Sequence, residues 1–222
     1  KIMHRCAVLD LMFVTTGVKE LTPFEGQRAK LFHMPNPVDS SIETFDVTLN
    51  TQFDNDVLFC SKADDNSTRG KTVSYVNEHL EKNIRFSTPG NFGQAGVWGR
   101  DYDHLLNKTK MGLNLNRQEG YHWYSSDRMV QLAANGVLTF THADAEFNTM
   151  FPEETLVYFK SDEELVRAIS EFHHDDDKRI SWASKAREFS HREMNSTLFA
   201  QYVVEASTQK TYSHDYVWLD ER

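Results

Sequence analysis

Short apolar runs rich in β-branched and aromatic residues alternate along this chain with segments whose apolar residues recur at helical spacing, and that alternation restricts the fold more than any single motif. Val57-Leu58-Phe59-Cys60, Ile84 to Ser87, Met111 to Leu115, Val137 to Thr141 and Leu156 to Phe159 read as strands. Between them, helices are expected over about Lys71 to Leu80, with Val73, Val76, Asn77 and Leu80 on one stripe, over Tyr102 to Lys108, and from Ser125-Ser126 to Gly136. Ser161-Asp162-Glu163-Glu164 is a capping box that starts a helix through about His173. Asp175 or Asp176 caps another, with Ile180, Ala183, Ala186 and Phe189 inward, and a last helix covers about Ser196 to Ala206. Strands separated by helices predict an α/β, Rossmann-like domain, a mostly parallel sheet with helices on both faces.

Upstream, Ala7 to Val14 reads as a buried strand, Val18 to Gly26 as a short helix and Ala29 to Met34 as a strand ending at Pro35-Asn36-Pro37. Prolines on both sides of Asn36 force extended or turn geometry, which suits a hinge. The expected organisation is a first unit and hinge over residues 1–36, then a larger domain over 37–222 whose first clear strand starts near Asp54. A chain that opens in a core strand reads as truncated.

Charge narrows the partners. A net charge of −9 and a pI near 5.5 argue against nucleic acid, which selects a basic face. No window approaches the roughly 20 apolar residues of a membrane helix, and the apolar run after Lys1 to Arg5 is too brief for a signal peptide. Cys6 and Cys60 lie in apolar runs and read as buried, reduced thiols. The expected compartment is the cytoplasm, free or peripheral at the inner face of a membrane. Without a secretory signal, the glycosylation patterns at Asn66, Asn107 and Asn195 count as accidental.

In an open parallel sheet, ligands bind beyond the C-terminal strand ends, so the loops after Cys60, Ser87, Leu115 and Thr141 should meet at one crevice. The first carries Lys62, Arg69 and Lys71, and the third carries Arg117 before a helix that begins after Ser125-Ser126 and bears Arg128. Cations beside the free N–H groups of a helix start suit a pyrophosphate. Glycines at 90, 93, 96 and 99 mark a loop able to wrap an aromatic base, with Val97 and Trp98 packed on it. Gln118 to Tyr124 is rich in hydrogen-bonding tips that suit a sugar, with Glu119 as an acceptor for its hydroxyls, and Gln131 lies one helical turn beyond Arg128. His173-His174-Asp175-Asp176-Asp177 holds metal-ligand residue types, but between two helices Asp serves as a cap and His suits the preceding C-terminus, so no metal is expected. The chain lacks a dinucleotide fingerprint, a phosphate loop and a nucleophile elbow.

These stretches resemble the C-terminal, donor-binding half of two-domain, GT-B type group 1 glycosyltransferases, particularly the branch similar to spore maturation protein B. The resemblance rests on Pro35-Asn36-Pro37-Val38-Asp39, on Asp56-Val57-Leu58-Phe59 followed by Arg69, and on Gly99-Arg100-Asp101-Tyr102 through Arg117. Its most specific part is Ser126-Asp127-Arg128 with Gln131-Leu132-Ala133-Ala134-Asn135-Gly136, continued by Phe151 and the helix start at Ser161. It implies an enzyme that moves a sugar from a nucleotide-sugar to a glycan, lipid-linked or protein acceptor. It implies Lys62, Arg69 and Lys71 at the diphosphate, Val97 to Tyr102 at the base with Trp98 among them, and Arg117 to Gly120 at the sugar. Arg128 and Lys71 would stabilise the leaving diphosphate, with Ser125 and Ser126 at the helix start. Catalysis would need neither metal nor cofactor, and residues up to about Pro35 would be a remnant of an otherwise missing acceptor domain. The family commonly places carboxylates where this chain has Gln131 and Trp123. The other readings are a non-catalytic nucleotide- or sugar-binding module and a nucleotide-sugar epimerase of the same architecture.

Overall fold

In the computed structural model, which describes residues 2–219, five strands form one parallel sheet in the order β4-β3-β5-β6-β7. They are β3 Asn55–Leu58, β4 Phe86–Ser87, β5 Thr109–Asn114, β6 Leu138–His142 and β7 Leu156–Phe159. Crossover helices join them: α2 Thr68–His79, α3 Arg100–Asn107 and α4 Asp127–Ala134. After β7 come α5 Asp162–His174, α6 Asp176–Glu193 and α7 Ser196–Thr208.

The period-two alternation of β5 shows how the layers form. Met111 and Leu113 join a buried cluster with Val73 and Val76 of α2 and Leu165 and Ile169 of α5. Gly112, between them, faces α4, where a Cβ would lie 2.5 Å from Leu132 Cδ2. The missing side chain lets α4 approach the sheet closely, and Gly136 at φ +77° ends that helix.

Helix starts follow the capping chemistry with one shift. Ser161 Oγ accepts from Glu164 N, but the Glu164 carboxylate accepts from Lys160 N, one residue before the position a capping box uses. Asp175 caps α6 by accepting from Lys178 N at 3.0 Å. Ala183, Ala186 and Phe189 face inward as expected, whereas Ile180 is only half-buried because Arg179 takes the inner position, fully buried. Asn77 is likewise exposed beside its buried stripe.

The first unit is a parallel pair, β1 Leu11–Val14 and β2 Lys30–His33, joined through a 3-10 helix at Val18–Phe24. The expected strand from Ala7 starts four residues late. Ile2–Cys6 form a short helix, α1, and the chain pairs only from Leu11, past an exposed turn where Asp10 holds Arg28 at 2.7 Å. Beyond Pro35-Asn36-Pro37, Val38 N donates to Met194 O and Ser196 N donates to Val38 O, each at 2.7 Å. That exchange ties the segment to the junction of α6 and α7. From there α7 crosses to the first unit, where Tyr202 Oη donates to the His33 carbonyl at 3.2 Å and packs on Phe13. Among the described residues, no helix is long and apolar enough to cross a membrane, and no group of three His, Cys, Asp or Glu residues is placed to hold a metal ion.

Candidate functional site

Chain order reverses between β3 and β5: from β3 the chain steps outward to β4, then returns to the other side of β3 for β5. The loops after β3 and β5 therefore diverge and open a crevice at the C-terminal sheet edge. A cavity of about 620 Å³ lies there, lined by Cys60 and Lys62 after β3, Val97 and Trp98 after β4, Tyr102 of α3, and Asp127, Arg128 and Gln131 of α4.

Its electrostatics come from two arginines. Arg69 in the first turn of α2 and Arg128 in the first turn of α4 place their guanidinium groups 5.8 and 5.3 Å from the Phe59 ring. Each is held only by a backbone carbonyl: Arg69 Nη2 donates to Lys62 O at 2.5 Å, and Arg128 Nη1 donates to Leu115 O at 3.2 Å. Both Nε atoms are buried without a partner, and among the described residues no carboxylate pairs with either group. Burial, then the positive charges of Arg128 and Arg117, lower the Arg69 pKa; burial lowers that of Arg128. Guanidinium stays charged through shifts of this kind, so two partly desolvated cations remain without a salt-bridge partner, with Asp127 the nearby negative charge at Arg128.

Helix starts reinforce them. In α2, Ser67 caps Gly70 N at 3.0 Å. In α4 the N-cap Ser126 makes no cap bond, because its hydroxyl donates to Asn114 Oδ1 at 2.8 Å. The Arg128 N–H is taken locally by Asp127 at 3.0 Å and the Met129 N–H by the Ser126 carbonyl at 3.2 Å. What this helix start offers an anion is its positive dipole end, with Arg128 in its first turn. Ser125, just before it, is buried with an unpartnered hydroxyl.

Of the residues expected at the site, Lys62, Val97, Trp98, Tyr102, Arg128 and Gln131 share the cavity, and Arg69 meets Arg128 over Phe59. Lys71 is exposed and outside the lining, and so are Arg117, Glu119 and Gly120 on the loop after β5. The aromatic loop is not the ring of polar tips its composition suggests. Trp123 is buried at φ +50°, its indole N–H donating to Thr149 Oγ1 at 2.9 Å, and the buried His122 ring stacks on it. The cause is docking on the first unit, where Gly17 N donates to His122 O and Ser125 N to Thr15 O.

Three features escaped the sequence. Cys60 lines the cavity, half-buried, with its thiol pKa pushed up by burial. Asp127 lines it too, and its signal was the acidic first turn of α4. Glu146, at φ +54°, lies 2.6 Å from His122 Nδ1 and 3.3 Å from Lys19 Nζ, its pKa lowered by both. No local signal marks a contact 127 residues apart.

The sequence matches the family model described as glycosyl transferase-like over residues 71–205. No curated protein matches it. Among solved structures, sucrose-phosphate synthase from Thermosynechococcus elongatus shares the fold with a TM-score of 0.65 at 13% identity, over 94% of this chain and 60% of that one. HepE from Anabaena, in complex with UDP, gives 0.66 at 10% identity, over 90% and 64%. TarM gives 0.68 at 10%, over 92% and 44%. This chain thus spans less than two thirds of the length of each. With a family match over more than half of its length and this parallel sheet beneath it, the chain belongs to the glycosyl transferase-like family and is built on the Rossmann-like half of the GT-B group 1 fold.

Proposed function

We propose that this chain is the donor-binding part of a glycosyltransferase and holds a nucleotide-sugar by its diphosphate against Arg69, Arg128 and the start of α4. The observation that carries this reading is the pair of guanidinium groups withdrawn from water over Phe59, neither of them in a salt bridge with a carboxylate among the described residues. Such an arrangement costs free energy in the empty site and is repaid by an anion. As the bond from the sugar's anomeric carbon to the diphosphate breaks, the sugar passes to an acceptor hydroxyl and the diphosphate gains negative charge. Arg128 and the positive N-terminal end of α4 stabilise that charge where it develops, without a metal. Lys62 on the rim and Lys71 in the first turn of α2 add to the positive field. The Gln131 amide reaches ribose hydroxyls, and the exposed loop with Arg117, Glu119 and Gly120 is assigned to the sugar. The complex of HepE with UDP-glucose makes uridine donors the first to try. The acceptor, a glycan, lipid-linked or protein hydroxyl, is met by parts of a longer enzyme.

Calorimetric titration with UDP, GDP and dTDP tests the reading. One-to-one binding of at least one, competed by inorganic pyrophosphate, is expected; binding of none overturns it. A non-catalytic module is the second reading, favoured by Gln131 in the cavity and by Trp123 turned into the core. Nucleotide binding with no sugar transfer by the full-length protein would select it.

A further inference from the structure

Beyond the ends of β3 and β4, a side-chain amide keeps the two chains together. Their ladder runs out where Phe59 N donates to the Ser87 carbonyl at 2.9 Å. From there Asn91 carries the connection. Its Oδ1 accepts from Ala63 N at 2.9 Å and its Nδ2 donates to Ser61 O at 2.7 Å, so one amide grips the backbone on both sides of Lys62. The main chain of Asn91 is fixed in turn, its N–H donating to Thr88 O at 3.0 Å and its carbonyl accepting from Gln94 N at 2.9 Å. Asn91 is buried and lies outside the cavity lining, whereas Ser61 and Lys62 on one loop and Pro89 and Gly90 on the other belong to it.

The carbonyl between the two grips is the one that holds Arg69, since Lys62 O accepts from Arg69 Nη2 at 2.5 Å. On the far side the loop is blocked by α2, where a Cβ on Gly70 would run into the Asp64 carbonyl. With no salt bridge to orient it among the described residues, the Arg69 guanidinium follows the place of that one acceptor. An amide suits the task because it presents an acceptor and a donor side by side; a carboxylate lacks the donor, and a hydroxyl or methyl spans one bond or none.

We propose that Asn91 is a positioning residue of the anion site: by fixing the Lys62 carbonyl it sets the Arg69 guanidinium, and Lys62 with it, for the diphosphate before any ligand arrives. This rests on the donor-binding reading above. Asn91 touches no ligand, and its effect passes through Arg69 and Lys62. Cations set in advance spare the ligand the ordering it would otherwise impose, and the gain falls on the diphosphate rather than the nucleoside.

Calorimetry on the full-length protein with UDP and inorganic pyrophosphate tests this in a double-mutant cycle. Asn91→Ala should weaken both ligands by a similar factor, roughly tenfold, as for residues joined in one hydrogen-bond network. In an Arg69→Ala background the same substitution should cost less than about threefold, because the group it positions is gone. In an Arg128→Ala background it should again cost about tenfold, since Arg128 is held by Leu115 O instead. Asn91→Ser, which keeps part of the grip, should fall between and carries the same cycle if Asn91→Ala does not fold. Unchanged pyrophosphate affinity, or a loss of equal size with and without Arg69, as a merely structural amide would give, would overturn the proposal while leaving the diphosphate site standing. Wild type that binds neither ligand would overturn both.

Discussion

Strand β3 lies between two phenylalanines, Phe53 before it and Phe59 after it, and each has two cations over its ring. At Phe53 they are Lys110 and Arg179, both 5.4 Å from the centroid; at Phe59 they are Arg69 and Arg128. Before the strand, every cation has an anion: Asp176 lies 3.4 Å from Lys110 and 2.7 Å from Arg179, and buried Asp56 receives Arg85 Nε at 2.9 Å. After the strand, neither arginine has a carboxylate within salt-bridge distance among the described residues, Asp127 acting on Arg128 only from farther off. Ion pairs at the first end hold the fold together, while the cations at the second, without salt bridges, cost stability that a bound anion would return. The same aromatic-cation contact thus serves structure at one end of a strand and, on our reading, ligand binding at the other.

Arg85→Ala should have the largest effect on stability. Asp56 is buried and also accepts from Arg85 Nη2 and the Arg85 N–H, so removing the guanidinium leaves a buried carboxylate short of partners, at a cost of about 3 kcal/mol. Burial alone would raise the Asp56 pKa, but the Arg85 hydrogen bonds and charge, with His173, outweigh it and hold the group below its ordinary 3.8. A depressed carboxylate stabilises the fold above its unfolded pKa and loses that contribution as pH falls through the folded value. The gap between wild type and Arg85→Ala in urea denaturation should therefore be full near neutral pH and shrink below about pH 4. UDP affinity of the folded variant should stay unchanged; a loss of affinity matching the loss of stability would erase the distinction between the two ends.

Arg128→Ala is the reciprocal test. Losing a charge-assisted bond to the diphosphate should weaken UDP and pyrophosphate by roughly 1.5 to 3 kcal/mol. Because Arg128 repels Arg69 and makes no salt bridge that its removal would break, the melting temperature should hold or rise. A clear drop in melting temperature with unchanged nucleotide affinity would make Arg128 a structural residue like Arg85.

The two ends also differ in how far the sequence discloses them. Strand and helix order was legible because Val57, Met111, Leu138 and Leu156 sit in runs whose period reports burial directly. Arg69 and Arg128 were legible because cations just after strand ends, in an α/β order, fall where that topology opens its crevice. Arg179 was hidden: its residue type argues for solvent, and only the packing of α6 on the sheet shows that Phe53 and Asp176 take it in. Trp123 was hidden for a different reason. The bonds that turn its loop inward come from Thr15, Gly17 and Glu146, and no window of sequence contains both partners.

Lys71 gives the smallest expected effect and the finest distinction. It shares the first turn of α2 with Arg69, and its residue type and spacing made it an equal candidate for the diphosphate. Its side chain is exposed and outside the cavity, whereas Arg69 is 8% exposed against Phe59. A solvated ammonium acts on a ligand only through water and salt, so Lys71→Ala should reduce UDP affinity by about twofold at low ionic strength. Near 0.5 M salt, where screening shortens to a few ångströms, the effect should vanish, while the Arg128→Ala loss should persist because that guanidinium is partly withdrawn from water. A Lys71→Ala loss as large as that of Arg128→Ala, and as resistant to salt, would move the anion onto the outer face of α2 and make exposure, rather than the missing carboxylate, the wrong criterion for finding the site.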